Sequence, residues 1–178
     1  MKKFSKNALF LVSFSVALFS CATASLPKET PVVERFDKAR YLGKWYEIAR
    51  FDFAFEKNLS NTTAEYGLRD DGKISVTNRG YNYVKGKWVE AKAKARFVGA
   101  DTRAALEVSF FGPFYSGYNV IALDGDYKYA LVAGDSLKYL WILSRTKTIP
   151  EDIKKDYLNI ALALGYNLDN LVWVEHDK

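Results

Sequence analysis

Residues 42–51 read LGKWYEIARF, and the alternation of their side chains decides what kind of fold follows. The apolar spacing is two rather than three and four, so the segment reads as a strand. Trp45, Glu47, Ala49 and Phe51 fall on one side, and Tyr46, Ile48 and Arg50 on the other. With apolar residues on both sides, the strand is expected between a core and a second layer. Gly43 supplies a small backbone hinge two places before Trp45.

Downstream, short alternating runs are joined by turn signals. Residues 61–69 and 73–82 flank Asp70-Asp71-Gly72, an Asp-Gly hairpin signal in which glycine takes positive φ. The cleanest strand is 87–97, where Val89, Ala91, Ala93, Ala95 and Phe97 alternate with Trp88, Glu90, Lys92, Lys94 and Arg96. Further strands are expected over 103–110, 118–124, 127–133 and 138–145, which makes eight in all. Neighbouring strands with hairpin-length links predict an all-β fold, an eight-stranded up-and-down antiparallel barrel, closed so that no edge is left to aggregate. One helix stands out. Thr148 and Glu151 have the capping-box spacing, and Ile153, Tyr157, Ile160, Ala161 and Leu164 form one apolar face that ends at Gly165. That helix is expected to pack outside the barrel, followed by a short final strand over 171–175.

Upstream, the chain opens with Lys2, Lys3 and Lys6, and then an apolar run of twelve residues from Ala8 to Phe19. A bilayer-spanning helix needs roughly 20. A basic start with a short apolar centre reads as a secretory signal peptide over 1–20. The sequence Leu18-Phe19-Ser20-Cys21 resembles a bacterial lipobox, and Cys21 is the only cysteine of the chain. Lipid attachment at Cys21, for example labelling by palmitate, is the expectation. Residues 21–34 hold two prolines and no apolar period, and read as a lipidated tether to a domain over 35–178. Without the three lysines of the leader, 26 basic residues become 23 against 21 acids, a net charge of +2. The basic balance is thus partly an export signal, and nucleic acid is not an expected partner. With Cys21 acylated no disulfide can form, so stability rests on a core that 49% hydrophobic and 16% aromatic content can supply.

Ala91, Ala93 and Ala95 share the inward apolar side of strand 87–97, where a filled barrel would carry Leu or Ile. Small residues there leave volume, and a barrel of about eight strands holds one small ligand. The competing expectation is that aromatics fill the space, since the chain carries 12 Phe, 12 Tyr and 4 Trp. By alternation, candidate cavity residues are Ala49, Ala91, Ala93, Ala95, Leu106, Val108 and Trp141, with Tyr115 at the rim of a Gly- and Pro-bearing link. No catalytic set, metal site or cofactor motif is evident: His176 is the one histidine, and no glycine-rich phosphate loop appears. Glu47 is the residue to suspect were the chain an enzyme. A transmembrane barrel is disfavoured, because Lys92, Lys94 and Arg96 break any outward apolar band.

Gly43-Lys44-Trp45-Tyr46, with Arg145 ending the last barrel strand and Asp124 and Tyr127 before it, resembles the lipocalin signature. The stretches YEIARFD, LRDDGKISVTNRGYN and YLWILSRT are similar to the bacterial outer-membrane lipocalins, relatives of apolipoprotein D, and the resemblance covers about residues 36–176. It implies a structural barrel floor in which Arg145 packs across the Trp45 ring above Gly43. It also implies lipophilic ligands, fatty acids or lysophospholipids, and an anchored outer-membrane location facing the periplasm. A role in the cell envelope follows from the same resemblance, which leaves a homodimer and a lipid-modifying enzyme open.

Overall fold

The computed structural model describes residues 30–177, so the leader, Cys21 and the first part of the tether lie outside the described residues. A one-turn helix α1 (Lys38–Tyr41) leads into β1 (Gly43–Phe51), β2 (Leu59–Leu68), β3 (Ile74–Asn82) and β4 (Lys87–Phe97). Then come β5 (Ala105–Ser109), β6 (Ser116–Leu123), β7 (Tyr129–Ala133) and β8 (Leu140–Ser144). Helix α2 (Glu151–Ala163), a 3-10 turn and β9 (Leu171–Trp173) complete the chain. Each strand pairs antiparallel with the next, β8 returns to β1, and β1 also pairs with β2, so eight strands close on themselves. The ninth strand lies on β1 through Ala49–Phe51. Residues 33 and 34, expected in the tether, already belong to the fold: Val33 N–H donates to Val120 C=O, and Glu34 bridges Arg103.

Inside and outside are decided by residue period. In β4 the register against β3 runs unbroken from Lys87 to Ala95, so Ala93 and Ala95 stay on the inner side and Lys92, Lys94 and Arg96 on the outer. In β1 the alternation breaks. The pairing with β8 shifts between Glu47 and Ala49, a bulge that turns the remaining side chains over. Trp45 joins the core inside the barrel, and Glu47 still pairs with inward Leu143. Past the bulge Arg50 pairs with Trp141 of the inner face, whereas Ala49 pairs with Ile142 and Phe51 lies on its side. The expected single face of Trp45, Glu47, Ala49 and Phe51 is therefore split. Ala49 is not a cavity residue; it is fully buried under α2.

A second core lies outside the barrel. Tyr157 and Ala161 of α2, with Tyr166 beyond it, cover Leu131, Ala133, Leu140 and Ile142. Strands β7 and β8 thus bury both faces, which is why they read ALVA and LWILS without polar alternation. Each of the leucine and isoleucine side chains contributes about 1.5–3 kcal/mol on burial. The Tyr157 and Tyr166 hydroxyls donate to the carbonyls of Tyr129 and Tyr139 and fix the helix on the sheet. The capping box does not form: Pro150 is the N-cap with no side-chain bond, while the Thr148 carbonyl accepts from Ser144 and Thr146. The end falls as expected, with Gly165 at φ +92 just past the last turn.

Candidate functional site

The strand directions give the barrel two different ends. Loops 69–73, 98–104 and 124–128 gather with α1 at one end; loops 52–58, 83–86, 110–115 and 134–139 gather at the other. The first end is sealed. Gly43 takes φ +88, and a Cβ there would sit 3.6 Å from Arg145 Nη1. The Arg145 guanidinium lies 3.9 Å from the centroid of the wholly buried Trp45 ring. Its nitrogens donate to the carbonyls of Arg40 (2.7 Å), Lys44 (2.8 Å), Tyr41 (3.2 Å) and Tyr127 (3.2 Å). Trp45 Nε1 donates to the Tyr41 carbonyl at 2.8 Å. The structure thus brings Gly43, Trp45 and Arg145 into one assembly across the closed end.

Above it stands a feature the sequence reading missed. The Tyr118 hydroxyl lies 2.7 Å from that of Tyr66 and 2.6 Å from that of Tyr41. Strands β6 and β2 are four places apart in a ring of eight, so Tyr118 and Tyr66 meet across the barrel. Burial raises the pKa of all three hydroxyls, which stay protonated and hydrogen-bonded. The signal was present: Tyr66 and Tyr118 have the inward parity of their strands.

The inner wall above this bar is where most cavity candidates fall. Ala95 and Leu106 are buried in the inner core, and Ala93, Val108 and Trp141 are half-buried against it. Ala91 has the same parity on β4 and is exposed, so the inner surface is open at its height. Asn78, its partner on β3, carries a buried Oδ1 with no hydrogen-bond partner. Tyr115 is elsewhere. Its ring lies 4.2 Å under the Arg96 guanidinium, on the outer face of β4, where it lines a recess of about 290 Å³ with Glu107 and Asn119. Only the end of the Gly- and Pro-bearing link turns onto this outer wall, and it carries Tyr115 away from the mouth.

Nearer the mouth, the bulge delivers a buried ionic group. Arg50, 1% exposed, donates from Nη1 to Glu47 Oε1 at 2.8 Å and from Nη2 to the carbonyls of Glu56 (2.7 Å) and Leu59 (3.2 Å). Thr62 also donates to Glu47 Oε1 at 3.2 Å, and Trp141 Nε1 donates to Glu56 Oε2 at 3.1 Å. Burial, reinforced by the Glu47 charge, pushes the Glu56 carboxyl up to about 8, against the pull of Trp141 and Arg50. Burial likewise raises Glu47, opposed by Arg50 and Thr62. The acid suspected of catalysis is thus tied to an arginine and a threonine. Among the described residues no group of His, Cys, Asp and Glu is placed to hold a metal ion.

A family model described as a lipocalin-like domain matches residues 36–176. The chain is 52% identical over 168 residues to the outer membrane lipoprotein Blc of Escherichia coli (strain K12), covering 93% of this chain and 95% of that one. It is 35% identical over 183 residues to apolipoprotein D of Macaca fascicularis, covering 96% and 95%. Among solved structures, insecticyanin from the tobacco hornworm Manduca sexta superposes with a TM-score of 0.71 at 20% identity, over 88% of each chain.

Proposed function

The chain belongs to the lipocalin family, and from that premise we propose that it binds, stores or transports lipophilic molecules in its barrel as an outer-membrane lipoprotein. Cys21 carries the lipid in this reading, residues 1–20 are removed on export, and the barrel faces the periplasm. The relatives from Escherichia coli, Citrobacter freundii and Vibrio cholerae, all named outer membrane lipoproteins, support the location. Fatty acids or lysophospholipids are the ligand class, and maintenance of the cell envelope, or its response to stress, is the setting.

One observation carries the reading. Ala91 and Ala93 present methyl groups on the inner wall above the tyrosine bar, and Ala91 is exposed although its register points it inward. A barrel built only as a packed core would close that space. Binding rather than catalysis is supported by Glu47, whose carboxylate is engaged by Arg50 and Thr62.

Ala93→Trp tests this directly, because an indole at that height occupies the space the alanines leave. Affinity for a fluorescent fatty acid is expected to fall at least tenfold, about 1.4 kcal/mol, with little change in melting temperature. A variant that unfolds, while its remaining folded fraction binds normally, would place the ligand elsewhere. Native mass spectrometry of protein purified without detergent identifies what the cup carries.

A further inference from the structure

The two ends of the barrel differ in what they show to water. At the mouth, Phe55, Phe111 and Phe114 are 76%, 70% and 78% exposed, although phenylalanine is ordinarily an interior residue. They come from loops 52–58 and 110–115, which join strands on opposite sides of the ring, and the Phe55 and Phe111 rings meet with centroids 6.2 Å apart. The exposed apolar side chains therefore form one patch over the opening. Lys57, Lys85, Lys87 and Lys138 stand exposed on the mouth segments, while the exposed acids there are engaged, Asp52 by Arg50 and Asp135 by the Gly117 N–H. The closed end is unlike this: its turns carry Asp71 between Arg69 and Lys73, Asp101 with Lys38, and Asp126 with Lys128. Among the described residues it exposes no aromatic ring of comparable extent.

We propose that the open end docks on the surface of a lipid bilayer, with Phe55, Phe111 and Phe114 entering the headgroup layer and Lys57, Lys85 and Lys87 facing anionic lipid. Aromatic side chains rimmed by cations are what such a surface takes up. Charge selects the occupant. Two copies meeting mouth to mouth would bring like-charged lysines together, whereas an anionic leaflet complements them. Reach permits it, since the nine residue steps from Cys21 to Thr30 span up to about 30 Å. That is comparable with the length of a nine-residue strand such as β1. Docking deepens the lipid-binding reading and rests on it for what crosses the mouth: lipid passes between bilayer and cup without entering water.

The test uses the exported, acylated full chain in vesicles of phosphatidylethanolamine and phosphatidylglycerol. An environment-sensitive fluorophore is attached at Phe114→Cys, separately at Phe111→Cys, and at Asp70→Cys on the closed end. Both rim probes are expected to shift to the blue and to be quenched at least twofold more by spin-labelled lipid than the Asp70 probe. Reversing the charge of Lys57, Lys85 and Lys87 to Glu is expected to weaken that quenching on anionic vesicles and not on neutral ones. Rim probes as wet as the Asp70 probe overturn the proposal. So does shielding that disappears when the protein is diluted among vesicles, because a second copy would then be the cover. Uptake of a fluorescent fatty acid is read in the same samples. Uptake without docking defeats the docking alone; docking without uptake defeats the lipid-binding reading.

Discussion

Arg50 is a permanent cation with almost no solvent contact, and its position is tolerable only because the carboxyl groups of Glu47, Asp52 and Glu56 and two carbonyl oxygens surround it. Burial first, and the neighbouring Glu47 charge second, make the Glu56 carboxyl hold its proton up to about 8. The sign of the pH dependence follows. The Glu56 carboxyl has a folded-state pKa above its ordinary 4.5, so the folded protein binds this proton more tightly than the unfolded chain. Stability from this group is complete below about 4.5, declines as pH rises towards 8, and is flat beyond. Glu47 shifts in the same direction. Glu56→Gln retains an amide oxygen for Trp141 Nε1 and removes the titration. Its melting temperature is therefore expected to gain on the parent between pH 5 and pH 8.5, at roughly 2–4 °C per kcal/mol. A difference that stays constant across that range in a calorimetric series would rule the account out.

At the scale of elements, the β1 bulge separates residues that a period of two would unite. Ala49 lies in the sealed layer beneath α2, whereas Ala93 lines the open wall. Ala49→Leu is expected to overpack that layer at a cost of about 1–3 kcal/mol and leave fatty-acid affinity unchanged. Melting curves and ligand titrations on the one variant decide it, since a loss of affinity with normal stability would put Ala49 inside. This contrast also marks what the sequence could show. Where β4 runs without interruption, its inner and outer faces were legible residue by residue, as were the strand count and the outer helix, while the Trp45–Arg145 pair was implied only by the family resemblance. Beyond the bulge the parity inverted, which hid Arg50 and misplaced Ala49. Glu56 and Tyr115 sit on links between strands, where alternation carries no information, and the tyrosine bar needed two strands four places apart to be brought together. The capping box failed because Pro150 occupies the N-cap, and a local pattern cannot exclude the neighbouring residue from that role.

For the molecule as a whole, Arg145 ties the end of β8 to residues more than a hundred positions earlier, the carbonyls of Arg40, Tyr41 and Lys44. Arg145→Ala removes a half-buried cation–π contact of about 1–2 kcal/mol and leaves four carbonyls to find other donors. A fall of at least about 4 °C in melting temperature is expected, with affinity for a fluorescent fatty acid largely kept. Unchanged melting would mean that the floor closes without it. Arg145→Lys should recover little, because an ammonium cannot serve the fork of acceptors that a guanidinium spans.

The second core outside the barrel has a mechanical consequence. With α2 packed along β7, β8 and β1, that flank is a double layer, while the outer face of β3 and β4 carries exposed Arg79, Lys92 and Lys94 and, among the described residues, no helix covers it. The cylinder is splinted on one side only. On the proposal that the barrel takes lipid, a guest too bulky for the cup at rest is expected to bow the unsplinted strands outward, with the helix-backed flank as the fixed jaw. Compliance is then expected in β3 and β4, the strand pair that carries Asn78, Ala91 and Ala93.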